Sequence, residues 1–303
     1  MKPYQLIEAP SILGLWPSGI ELMPYALQQY GFLKGTAPAR SVPLDATGYS
    51  SRRPAKQDVL NGPAIAAYSV RLAEAVQQVR DQRQFPVVLG GDCSILIGCM
   101  LALKQRGPFG LVHLDAHADF YQPEAEPKGE AASMDLALVT GHGPELLTAI
   151  QGLKPYVREE HAIQIGQRDA EEAAQAGSQR IEESAVHCFD LKTVRRLGVP
   201  TVLQETTNHL TNCKLDGYWI HFDVDVLADD IMPAVDYRLP GGLSFEEAAE
   251  LLHGLLQPAG AVGLSITIFN PKLDPDGTRT RQLVACLHQG LGYPETARTG
   301  SQF

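Results

Sequence analysis

Leu111-Val112-His113-Leu114-Asp115-Ala116-His117-Ala118-Asp119 is the stretch on which the chain turns. It opens apolar and β-prone and closes on Asp115, His117 and Asp119. A strand end cannot bury two carboxylates and an imidazole without partners. Divalent metal is the natural partner, since carboxylate oxygen and imidazole nitrogen together suit Mn, Zn, Ni or Fe. Residues 218–226, YWIHFDVDV, repeat the pattern: an apolar strand runs into His221, Asp223 and Asp225. Four aspartates and a histidine at two strand ends are enough to hold two divalent ions. Chance acids in surface loops would not follow two apolar runs in the same way.

Outward from these clusters the chain alternates short apolar strands with helical patterns. Strands are predicted over 110–114, 162–166, 185–189, 218–222 and 262–268, and an opening strand-like segment reaches residue 15. A short helix is predicted over 21–30, an irregular loop over 36–54, and a longer helix announced by Asn61 and Pro63. In that helix Ile65, Tyr68, Leu72, Val76 and Val79 step by three or four, which buries one face. Residues 86–98, PVVLGGDCSILIG, read as a strand broken at Gly90-Gly91 and followed by a helix. Ser244 and Glu247 form a capping box ahead of the apolar stripe of 244–256. Strands with apolar cores between helices predict a mostly parallel sheet covered on both faces, a three-layer α/β/α fold. No linker or repeat divides the chain, so residues 1–303 are expected to form one domain. In such sheets the ligand site lies beyond the carboxyl ends of the strands. Cys93, Asp115 to Asp119, and Asp223 with Asp225 all fall there.

Composition narrows the partners. With 44% apolar and 20% charged residues the chain can bury a substantial core. A formal net charge of −10 with no basic block argues against nucleic acid. The acidic balance suits a cationic small molecule, though only weakly. Five scattered cysteines with no C-x-x-C pair read as free thiols of a reducing compartment. The N-terminus lacks a long apolar core before Pro10, and no run approaches the roughly 18–20 apolar residues of a membrane span. A cytoplasmic protein is expected.

The segments GGDCS (90–94), DAHAD (115–119) and HFDVDVLADDIMPAVDYRLPGGLS (221–244) resemble, in order, the three metal-site signatures of the ureohydrolase family, which includes arginases, agmatinases and formiminoglutamases. IGQRDAEE (165–172) and FNPKLD (269–274) are similar to two further family segments. The resemblance implies an arginase-like fold and a homo-oligomer, trimer or hexamer. It also implies a centre of two divalent ions, Mn foremost, that activates water against a guanidine or amidine carbon. By the same resemblance Asp115, His117, Asp119, Asp223 and Asp225 match five of six ligands, with Asp115 and Asp223 bridging.

The sixth ligand, a histidine in the family pattern, is Cys93. A thiolate is a soft ligand, so Zn, Fe or Ni become alternatives to Mn. Cys93 as a metal ligand, as a protonated neighbour of a weakly held ion, as a nucleophile and as a small buried filler all remain open readings. Some family members that act on modified guanidines are similar in carrying Cys here. Where arginase-like sequences place a Glu that grips the guanidinium, this chain has Ile268, which makes arginine or agmatine held in the usual way doubtful. Where they place a proton-shuttling His-Gly pair, it has Ala132 and Ser133. Glu124, Glu126 or Glu130 of the neighbouring loop would then supply an acid/base group, or the loop is simply solvated. Asp119 or a loop acid is expected to accept the proton of the attacking water.

His113 and His221 each precede a metal-site Asp by two, so in a strand each shares its Asp's face. His221 is read as a catalytic support, a replacement ligand or a packed core residue. Glu171 lies where arginase-like enzymes bind a substrate ammonium group. Lys128, Tyr121, Arg238 and His142 fall in rim loops. The leading expectation is a metal hydrolase of a C–N bond in a linear amidine-type small molecule. Two alternatives compete with it: a descendant that binds a small molecule or partner without catalysis, and a thiol-dependent transferase using Cys93.

Overall fold

The computed structural model describes residues 3–45 and 48–293. Eight strands form one sheet: β1 (Tyr4–Ala9), β2 (Arg40–Ser41), β3 (Phe85–Gly90), β4 (Gly110–Leu114), β5 (Ala162–Ile165), β6 (His187–Phe189), β7 (Tyr218–Asp223) and β8 (Ala261–Thr267). Their order is β2-β1-β3-β8-β7-β4-β5-β6, and every pairing is parallel. All carboxyl ends therefore share one edge, the edge on which parallel sheets place their ligands. Helices cover both faces, as the short apolar strand cores predict.

Alternation along the strands sorts the core into two layers. Val112, Leu114, Ile220 and Phe222 pack on one side with the Phe245–Leu256 and Thr278–Leu291 helices. Leu111 and Trp219 pack on the other with the Gly62–Asp81 and Ile95–Lys104 helices. The capping box forms as predicted: the Glu247 amide donates to Ser244 Oγ at 3.2 Å, and the Ser244 amide donates to Glu247 Oε2 at 2.8 Å.

Three local expectations are corrected. Asn61 does not cap its helix with its side chain; it sits at φ 56°, receives the Ser50 amide at 2.7 Å and donates to the Leu13 carbonyl at 2.9 Å. Tying two loops together satisfies its amide better than a single cap bond. Strand β2 lies inside the segment expected to be irregular, because Ile7 and Glu8 of the neighbouring strand pair with it. The opening strand stops at Ala9, where Pro10 follows, rather than reaching Leu15.

Gly91 shows why the strand must break there. A Cβ at this position would meet the Ser11 carbonyl oxygen at 1.9 Å, so only glycine lets the loop after β1 lie against the loop after β3. That contact sets Cys93 at the mouth of β3. Among the described residues no helix is long and apolar enough to cross a membrane.

Candidate metal centre

The carboxyl ends of β3, β4, β7 and β8 bring the predicted groups together. Asp115 and Asp223 are nearly inaccessible, Asp119 and Asp225 are buried, and His117 is partly exposed. His117 Nδ1 lies 2.9 Å from Asp225 Oδ2 and 3.5 Å from Asp115 Oδ1. Ligand atoms of Asp115, His117 and Asp225 fall within 4.8 Å of one another, as do those of Cys93, Asp115, His221 and Asp223. Backbone bonds fix the loops that carry them. The Ala116 amide donates to Asp225 Oδ1 at 3.1 Å, and the Asp225 amide to Asp223 Oδ1 at 2.8 Å. Gln164 Nε2 donates to the Asp115 and His117 carbonyls at 3.0 and 3.1 Å. Arg168 Nη2 donates to the Asp225 carbonyl at 2.8 Å, which steadies the loop after β7.

The electrostatics are those of a cation site. Burial, and then the neighbouring Asp225 charge, push Asp115 up to about 7. Burial and the surrounding carboxylates hold Asp119 and Asp223 well above the carboxylate range. Asp225 goes the other way, to about 2: burial opposes its charge, but the His117 imidazole outweighs burial. His117 is raised in return, the Asp225 and Asp115 carboxylates overcoming burial. Asp115 Oδ2 is buried and accepts no hydrogen bond. Carboxylates crowded in this way repel one another, and an uncompensated buried oxygen is costly. Two dications among four aspartates remove both penalties, so the residues present fit such ions.

Cys93 is fully buried. Its Sγ donates to Asp223 Oδ2 at 2.8 Å and lies 3.2 Å from Thr267 Oγ1. Burial first, then the Asp223, Asp135, Asp119 and Asp115 charges, raise the thiol well above its ordinary value. A thiol held protonated is a poor nucleophile, which argues against the transferase reading.

Above the cluster opens a cavity of about 270 Å³. Cys93, His117, Asp119, Asp223 and Asp225 form its base, with Ile268 and Ala132 beside them. Tyr121, Lys128, Glu172 and Tyr237 belong to its walls. Ile268 is where the sequence places it, at φ 73°, a left-handed backbone uncommon for a β-branched residue.

Several expectations shift. Glu130 does not line the cavity; it is buried behind the rim, where Tyr237 Oη donates to it at 2.5 Å and Lys128 Nζ lies 3.6 Å away. Two donors hold it as an anchor for the rim. Glu171 is exposed and off the cavity; it is the next residue, Glu172, also exposed, that borders it. His221 lies beneath the base and not in the cavity, its Nδ1 2.8 Å from Ser265 Oγ. Arg238 pairs with Asp229, and His142 with Glu159, so neither faces the cavity.

The sequence reading missed Asp135, a wholly buried carboxylate whose Oδ1 lies 3.2 Å from His113 Nε2. The available signal was an acid directly heading the buried run Leu136–Val139. It also missed Trp16 and Tyr237, which pack edge to face with Lys128 Nζ over both rings.

The family model described as "Arginase family" matches residues 19–291, nearly the whole chain. The chain belongs to the arginase family. Arginase of Bacillus caldovelox is 30% identical over 306 residues, which covers 96% of this chain and 99% of that one. Arginase of Bacillus subtilis strain 168 is 29% identical over 304 residues, covering 96% and 98%. The solved B. caldovelox arginase superposes with a TM-score of 0.86 at 28% identity, covering 98% of this chain and all of that one. The formimidoylglutamase of B. subtilis is similar in fold, with a TM-score of 0.73 at 21% identity and coverage of 97% and 87%. The three-layer α/β/α architecture is thus the arginase-family, ureohydrolase fold, and the relatives are arginases by name.

Proposed function

We propose that this arginase-family chain is a binuclear-metal hydrolase that cleaves a C–N bond in a small guanidine- or amidine-type molecule other than a conventionally held arginine. The observation that carries the reading is His117, Asp119, Asp223 and Asp225 at the base of an open cavity, with Asp115 grouped beside His117 and Asp225. These residues would hold two divalent ions, with Mn favoured by the oxygen and nitrogen donors. Ions bound there supply a water of lowered pKa and polarise the carbon it attacks.

What the chain itself does follows from its geometry. Asp119 lines the cavity, where its carboxylate would take up the proton of the attacking water. Ile268 presents an apolar surface where a fixed cationic guanidinium would need an acid. A guanidine whose charge is reduced by an electron-withdrawing substituent meets no such requirement. Glu126, Asp169 and Glu172 put carboxylates on the wall, and Lys128 is the one lysine or arginine among the residues that line the cavity. Both ends of an amino-acid-like tail therefore find a complement. Small-molecule binding without nucleic acid or membrane, and self-association, complete the proposal.

The test is hydrolysis by Mn-loaded protein of arginine, hydroxyarginine, agmatine, guanidinobutyrate and formiminoglutamate. The reading expects turnover of a weakly basic member above that of arginine. Silence on all five at two ions per chain would move the assignment to a binding protein.

A further inference from the structure

Beneath the cavity base lies a second buried layer that the five matched ligands do not explain. His113 and His221 are direct cross-strand neighbours on β4 and β7, with rings stacked at 5.0 Å and 16°. Asp135 caps the pair: its Oδ1 is 3.2 Å from His113 Nε2, and its Oδ2 is 3.6 Å from His221 Nε2. All three side chains are wholly buried. His221 Nδ1 is engaged by Ser265, which leaves Nε2 turned toward Asp135 and Thr267. Asp135 Oδ2 and Asp115 Oδ2 have no hydrogen-bond partner at all. A buried carboxylate oxygen left without a hydrogen-bond partner calls for a cation beside it.

Two groups of candidate ligands overlap at Cys93. Ligand atoms of Cys93, Asp119 and Asp135 lie within 4.8 Å of one another, as do those of Cys93, Asp115, His221 and Asp223. The space that Cys93 faces is thus closed from below by a carboxylate and an imidazole. Cys93 itself is already committed as a hydrogen-bond donor to Asp223.

We propose that Asp135 and His221 are ligands of the inner ion of the pair, together with Asp115, Asp119 and Asp223, and that Cys93 is not a ligand. This rests on the binuclear reading above and goes beyond it. It replaces a soft sulfur donor with hard oxygen and nitrogen, which returns the site to Mn-type selectivity despite the cysteine.

The deciding experiment is anomalous diffraction from wild-type crystals soaked in MnCl₂, paired with Mn content per chain in solution. The proposal expects two ions, one of them within about 2.5 Å of both Asp135 Oδ2 and His221 Nε2. Asp135→Asn and His221→Asn should each retain one ion at Mn concentrations that give two in wild type, with affinity for the lost ion down at least tenfold; Cys93→Ser should retain two. Two ions in wild type, with the inner one bonded to Cys93 Sγ and clear of Asp135 and His221, would overturn the ligand assignment and leave the triad a hydrogen-bonded prop. Wild-type protein that takes up no Mn would instead defeat the binuclear reading itself. Because the diffraction uses wild-type protein, a variant that fails to fold does not decide the matter.

Discussion

Stripping the ions should make the fold prefer acid. Asp115 rises from an ordinary 3.8 to about 7 in the ion-free site because burial and the Asp225 charge disfavour its ionised form. Between those two values the folded chain keeps a proton that the unfolded chain has released. The contribution is therefore fully present below about pH 3.8 and is lost as pH rises through 7. From pH 5 to pH 8 Asp115 alone accounts for about 3 kcal/mol. At an unfolding entropy of about 2.1 cal/mol/K per residue, that is a fall in Tm of about 5 °C. Asp119, Asp223 and His117 are raised as well and act in the same direction. His221, held well below its ordinary value by burial and by His113, acts in the opposite one, losing stability as pH falls through the ordinary histidine range. Asp225 loses its contribution only near pH 2, outside the window. Scanning calorimetry on chelator-stripped protein at pH 5 and pH 8 reads the sum. With saturating Mn the carboxylates are held ionised, and the trend should flatten or reverse. A stripped Tm that is level or rises from pH 5 to pH 8 would refute the reasoning.

Three further perturbations separate the roles. Asp119→Asn should lower ion content and activity while raising the stripped Tm at pH 8 by about 2–3 °C: it removes a repelled charge, and Asn tolerates the left-handed backbone at φ 46° better than most residues. Loss of ions with a lowered stripped Tm would contradict it. Ile268→Glu should restore a grip on cationic guanidinium and lower KM for arginine or agmatine by about tenfold, a coupling of about 1.4 kcal/mol; an unchanged KM in steady-state kinetics would show that position 268 does not meet the reacting group. Gly91→Ala forces a Cβ to 1.9 Å from the Ser11 carbonyl and should cost about 3 kcal/mol or prevent folding, as urea unfolding would show.

Periodicity located the architecture well because it reports burial directly. Strand β4 has the predicted limits, and β5, β7 and β8 differ by a residue at one or both ends. The short edge strands fared worse: β2 has two residues, and β6 loses Ala185 and Val186 to the preceding loop. Their extent depends on a neighbouring strand, which no local pattern encodes. At the site, the five candidate ligands could be picked out because a buried strand seldom runs into paired acids unless a cation compensates them. Glu130 and Glu171 could not be placed, because which face of a loop or first turn looks inward depends on where that turn begins. Asp135 was hidden for a different reason. It approaches His113 and His221 only across the layers of the fold, 22 and 86 residues away along the chain.

The backbone at Ile268 does not owe its unusual shape to isoleucine. Its amide donates to the Gly91 carbonyl at 2.9 Å, and two residues on the Asn270 amide donates to the Ala234 carbonyl at 2.8 Å. Main chain holds main chain on both sides, so the position works as a socket: whatever side chain occupies it is delivered to the same spot beside the candidate ligands. The chemistry of the cavity base can then change by a single exchange without disturbing the candidate ligands, and a family sharing this frame can diverge in what it cleaves while the acids beneath stand still.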